Sequence, residues 1–313
     1  MNTQANAAAT VLPAPLATRP LYWSVRRELW ENRSLYLAPI AVAGILLLAS
    51  VISAFYYWKK MSDIMRPVLA LGPAKQAAAI GEPYAYVSML LILTVFLVGF
   101  FYCLDALHGE RRDRSILFWK SLPVSDWTTV LSKAAIPLVV LPLIAFTIIV
   151  VTQIIMLLLL TTGAVLARGL TPAILWTQVP LFENALVLLY GLAALALWHA
   201  PVYGWLLLVS SWAKRGTFLW AVLPPVVLCV FEWIAFHSTH LASMLSQRLG
   251  NSPADVFAFK ALVVKSPKVP VIIPLSELDP IKLFSTPGLW IGLIYAAVFI
   301  FAAISMRRDR EPI

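Results

Sequence analysis

Apolar residues in this chain neither alternate with polar ones nor recur at amphipathic spacing; they run on without interruption. Windows at 35–58, 84–104, 135–162, 184–212, 217–237 and 288–306 contain one carboxylate, two histidines and no Lys, Arg or Asp between them. Each is near or above the roughly 20 residues that a helix needs to cross a hydrocarbon layer of about 30 Å. The pattern predicts an all-α integral membrane protein with six transmembrane helices. The third and fourth windows hold 28 and 29 residues, so at about 1.5 Å per residue they must tilt, kink or project beyond the bilayer. Pro137, Pro142 and Pro201 are the expected kink points. Pro224 and Pro225 remove adjacent amide donors from the fifth window, which suits a hinge, a wide point in a pathway or a packing kink.

Between the windows the pattern changes. Residues 1–18 are Ala-rich and read as a disordered leader. "RPLYWSVRRELWENRS" (19–34) reads as a short interfacial amphipathic helix, with Pro20 suited to its first turn. On a helical wheel Leu21, Tyr22, Val25 and Leu29 share an arc that Trp23 and Trp30 extend, while Ser24, Arg27, Glu28 and Glu31 take the other side. That is the pattern of a helix lying in the membrane interface, with Arg26 and Arg33 reaching headgroups; a simple extension of the first span is the alternative. Segment 105–134 is an intervening loop, 238–287 a long and Pro-rich one, and 307–313 a tail. Within 238–287, "THLASMLSQRLG" suits a helix at the outer leaflet and "VVKSPKVPVIIPLSELDP" an extended path.

Composition confirms the class. Hydrophobic residues make up 61% of the chain and charged ones 12%, with mean hydropathy +0.84, whereas soluble domains are about half apolar and a quarter charged. The net charge of +9 is unevenly placed. With the N-terminus inside, the internal segments 1–34, 105–134, 213–216 and 307–313 carry 14 Lys plus Arg in 75 residues, against 10 in 96 on the other side, and 11 of the 14 Arg lie inside. Because basic residues near span ends stay cytoplasmic, both termini are expected in the cytoplasm. The excess charge is then a topology signal, and its dispersal over separate loops argues against nucleic-acid binding.

Candidate chemistry is sparse. The sequence contains no GxxxxGK[ST] run, no HExxH and no GxSxG, so an ATPase or hydrolase of these types is excluded. Cys103 and Cys229 lie at different depths and are expected to be free. Ionisable residues in hydrocarbon are candidates for function by default. Glu232, some 16 residues into the fifth span and so roughly 24 Å along it, shares an arc with His237 and His240, which would suit a metal or proton site; bonding to a neighbouring element is the bland alternative. His199, beside Pro201, is expected to bond a backbone carbonyl, and Gln153 to bridge two helices.

The stretch 104–133 packs nine charged residues into thirty. After Asp105 to Arg114 come Ile116, Leu117, Phe118 and Trp119 together, then a stop at Leu122 and Pro123, and Ser125 or Asp126 to cap the next helix. A short intracellular helix flanked by charge is expected, presenting bulky apolar side chains either to lipid or to a partner. In order, Glu110–Arg111, Ile116–Leu117, Leu122–Pro123–Val124–Ser125 and Lys133 resemble the intracellular loop of ABC transporter permeases of the type 2 exporter class. Nearly the whole order of parts resembles that family too: interfacial helix, six spans, a loop between spans two and three, and a long external segment between spans five and six. Trp119 and Lys120 depart from its pattern.

The resemblance implies a bacterial inner-membrane permease subunit, assembled as a homodimer or with a related permease, and driven by a separate ABC ATPase. ATP and Mg would be bound by that partner, with no cofactor on this chain and no catalytic residue. It further implies a coupling helix, roughly 112–122, with Glu110, Arg111, Arg112, Arg114, Ile116, Leu117, Phe118, Trp119 and Leu122 as the residues that seat against the ATPase. The cargo would be hydrophobic or amphipathic, with Glu232, His237 and His199 as candidate pathway or polar intramembrane residues. A secondary transporter or channel, or a polytopic enzyme acting on lipid, are the rival classes; internal repeats and midplane charge pairs, which the first would need, are not visible.

Overall fold

The computed structural model describes residues 19–57, 60–113, 125–166, 175–177, 179–249 and 278–309. In chain order these form α1 (Pro20–Glu31), α2 (Ser34–Tyr57), α3 (Met61–Leu69), α4 (Pro73–Asp105), α5 (His108–Arg112) and α6 (Asp126–Ala135). A π-helical turn (Ile136–Val140) leads into α7 (Leu141–Leu166), followed by α8 (Leu181–Trp212), α9 (Thr217–Phe236), α10 (His240–Leu249), α11 (Pro280–Ser285) and α12 (Pro287–Asp309). The protein is an all-α membrane protein: α2, α4, α6 with α7, α8, α9 and α12 are each long and apolar enough to cross a bilayer. Hydrocarbon offers no partner for backbone amides, so a chain this apolar satisfies them within helices.

Most boundaries fall close to the apolar windows, and the departures have local causes. The second span extends well beyond 84–104, because Pro73 fits its first turn after an extended Gly72 and Pro83 removes one hydrogen bond without ending the helix. At 33 residues it is about 50 Å long. The kink expected at Pro137 takes the form of the π-helical turn, which widens the helix where the proline lacks its donor. A further helix, α3, joins the first two spans. The tight turn between α8 and α9 depends on Gly216, whose φ of 63° is the left-handed region that glycine adopts without cost. The coupling helix expected at 112–122 falls mainly on residues 114–124, outside the described residues.

The core lies where α2, α4, α7 and α8 meet, around the fully enclosed Leu35, Leu91, Ile136, Leu141, Ile149 and Leu207. The most extensive helix pairing among the described residues is between α8 and α12; Gly204 of α8 lies against Ala296 of α12, and Ala196 and Ala200, eight and four residues earlier on the same side of α8, are buried too. Small residues let membrane helices approach where water supplies no driving force. Outward-facing Leu48, Phe101, Phe231 and Phe301 are exposed and form part of the lipid-facing surface. One end of the bundle gathers α1, α5, the start of α6 and the last turns of α8 and α12; this is the charged end. At the far end lie α3, α10 and α11.

Candidate functional site

The charged end holds a lattice of buried ions built from elements distant in sequence. Glu28, on the inward face of α1, is 1% exposed. Lys133 Nζ, in the last turn of α6, donates to Glu28 Oε1 at 2.9 Å and lies 3.1 Å from Glu110 Oε1 of α5. Arg307, in the last turn of α12, donates through Nη2 to Glu110 Oε2 at 3.1 Å and through Nη1 to Asp126, the first residue of α6. Arg27 completes the set, 2.9 Å from Glu28 Oε1 and 3.6 Å from Glu110 Oε1. Tyr102 of α4 donates its hydroxyl to Glu28 Oε2 at 2.8 Å.

Lys133, Arg27 and Arg307 face Glu28, Glu110 and Asp126, so each anion of the lattice has a cation beside it. That balance matters, because a buried charge that loses its partner is strongly destabilising. Burial pushes the Glu28 carboxyl up, but Lys133 and Arg27 together outweigh it and hold the group below its ordinary value.

α5 is bound to the end of α8 by a second set of contacts. Ser210 Oγ accepts from the Leu107 and His108 amides at 3.0 and 2.9 Å, while Arg111 Nη1 donates to the Ser211 and Ala213 carbonyls at 2.8 and 3.3 Å. Those carbonyls close a long helix and have no following amides to bond, so a guanidinium suits them by hydrogen bonding and by the helix dipole. Ser125 caps α6, its Oγ accepting from the Thr128 amide at 3.2 Å. Both ends of segment 113–125 are therefore rooted in the buried lattice.

Of the coupling residues expected from sequence, Glu110 and Arg111 are buried in this framework and Arg112 is exposed; Arg114, Ile116, Leu117, Phe118, Trp119 and Leu122 lie outside the described residues. Glu28, Tyr102, Asp126 and Arg307 are site residues that sequence reasoning did not single out. The charged arc of α1 was the available signal. The sequence places that arc opposite the apolar one, and the structure turns Glu28 into the bundle, where Lys133 and Tyr102 bond it.

The intramembrane candidates are not brought together. Glu232 sits at the corner between α9 and α10 and accepts from Ser238 Oγ at 2.8 Å and from the His240 and Leu241 amides at 2.9 and 2.8 Å. It thereby caps α10. His237 ends α9 in the left-handed conformation, with Nδ1 3.1 Å from the Trp233 carbonyl. His199 Nδ1 lies 2.8 Å from the Leu195 carbonyl, and its ring packs on Phe96. Among the described residues no group of three His, Cys, Asp or Glu could hold a metal ion. Gln153 donates to Ser88 Oγ at 2.9 Å, joining α7 to α4, and Cys103 and Cys229 are free.

No protein-family model, curated protein or solved structure matches the chain.

Proposed function

We propose that this protein is the membrane-spanning subunit of an ATP-driven exporter, with ATP hydrolysed by a separate nucleotide-binding subunit that docks on segment 105–134. One observation carries the reading: Glu110, Arg111 and Lys133, which bear the resemblance to type 2 ABC permeases, sit within one buried framework, with Lys133 Nζ 3.1 Å from Glu110 Oε1. A loop that merely links two spans needs no such root. Here its two ends are tied to α1, α6, α8 and α12, so a displacement applied to residues 114–124 would move several spans together. In this reading the charged end faces the cytoplasm, Phe118 and Trp119 meet the ATPase, and two permease chains enclose the pathway.

The chain contains no GxxxxGK[ST] run, in keeping with the proposal that a separate polypeptide hydrolyses the ATP. Glu232, engaged by the α10 amides, is occupied as a structural acceptor and gives the secondary-transporter reading no support. Replacing Phe118 and Trp119 by Ala should abolish co-purification with an ATPase while leaving membrane insertion unchanged. Undiminished co-purification would overturn the proposal.

A further inference from the structure

α1 presents two chemically distinct faces. Glu28, Val25 and Leu29 pack against the bundle, whereas Trp23 and Trp30, on the opposite side, are 57% and 66% exposed. Between them the Arg26 guanidinium lies 5.2 Å from the Trp23 ring centroid and 4.6 Å from that of Trp30. Arg26 makes no hydrogen bond or ion pair with any described residue. Arg19 and Arg33 flank the stripe and are also exposed. The acids of the helix are committed elsewhere: Glu28 to Lys133, and Glu31 to Arg27 at 3.6 Å. The outward stripe thus carries three arginines, two tryptophans and no carboxylate.

Its position fits one occupant. α2 begins at Ser34, directly after Arg33, and its exposed Leu37 and Ile40 continue the surface into the lipid-facing belt. Tryptophan favours the headgroup boundary, and arginine between two rings keeps its charge at phosphate level while its stem is covered. We propose that the Trp23–Arg26–Trp30 stripe binds the headgroup of an anionic phospholipid, with both indoles at the acyl boundary and Arg26 on the phosphate. Since Glu28 occupies the opposite face of the same helix, the bound lipid presses α1 onto Lys133. The inference rests on the membrane-spanning fold and not on the transport reading.

The full chain, purified in detergent and exposed to equal phosphatidylglycerol and phosphatidylcholine, is analysed for retained lipid by native mass spectrometry. Wild type should retain phosphatidylglycerol preferentially. Arg26→Gln should lower that preference about fivefold, the equivalent of ~1 kcal/mol for one basic residue at an anionic surface. Arg26→Lys, which keeps the charge, should retain most of it, and Arg215→Gln, at the same end but off α1, should change nothing. Trp23→Ala with Trp30→Ala should reduce retention of both lipids. An unchanged preference in Arg26→Gln would overturn the proposal, as would equal loss in Arg26→Lys and Arg26→Gln. So would inorganic phosphate alone raising the thermal midpoint as much as phosphatidylglycerol does, or a protein partner displacing the lipid from the stripe.

Discussion

A carboxylate that is 1% exposed, as Glu28 is, persists in charged form only where hydrogen bonds and opposite charge replace its water, and here Lys133, Arg27 and Tyr102 do so. Removing one member strands the others. Lys133→Met should therefore destabilise the protein by about 3–5 kcal/mol in thermal or denaturant unfolding, and Glu28→Gln combined with Lys133→Met should cost much less than the sum of the two. The pH dependence has a definite sign. Because the folded-state value of Glu28 lies below the ordinary 4.5, its stabilisation is fully present above pH 4.5 and disappears as pH falls through the lowered value. The stability difference between wild type and Glu28→Gln, measured across pH, should be constant above 4.5 and shrink below it. At this scale the sequence revealed polarity without revealing partners: Lys133 stood out through the loop motif, while Glu28 shared an arc with Arg27 and Glu31 that fits water equally well. Arg307 looked like a topology marker, because only folding brings it to Asp126 and Glu110.

Helices were the most legible feature, since each long apolar run leaves the backbone no alternative in hydrocarbon. Less legible were α3 and the first turns of α4, where polar side chains dilute the apolar signal, and the crossing of α8 with α12. That crossing is set by Gly204: a Cβ there would lie 3.1 Å from the Ala296 carbonyl oxygen and 3.3 Å from Phe299 Cβ. Gly204→Leu should force the two helices apart and lower stability by about 1–3 kcal/mol, read as a fall in the thermal midpoint. The far-end helix α10 is held at both termini, by Glu232 at its start and at its close by Arg248, which donates to the Trp198 and Gly288 carbonyls and lies 4.0 Å from the Trp198 ring centroid. Loss of a capping acceptor typically costs about 0.5–2 kcal/mol. Glu232→Ala should consequently speed amide exchange in 240–243 while leaving exchange in the spans unaltered.

For the molecule as a whole, the asymmetry of charge bears on orientation. Buried and exposed cations concentrate at the end that carries α1, α5 and the last turn of α12, and since basic residues near span ends favour the cytoplasm, we propose that this end faces it. In a Cys229→Ser background, with Cys103 fully buried, Arg112→Cys should react with an impermeant maleimide in inverted vesicles and not in intact cells; the reverse would invert the topology. The order of spans and loops was readable along the chain, but the way α1 folds back onto α6 at the start of the third span was not, because the Glu28–Lys133 pair that holds it joins residues 105 positions apart. The proposed grip of an ATPase on the loop rooted in this lattice is tested by placing a photo-activated cross-linking residue at Phe118. The expected product is a cross-link to a nucleotide-binding polypeptide with a P-loop; cross-links to lipid alone would overturn the proposed docking.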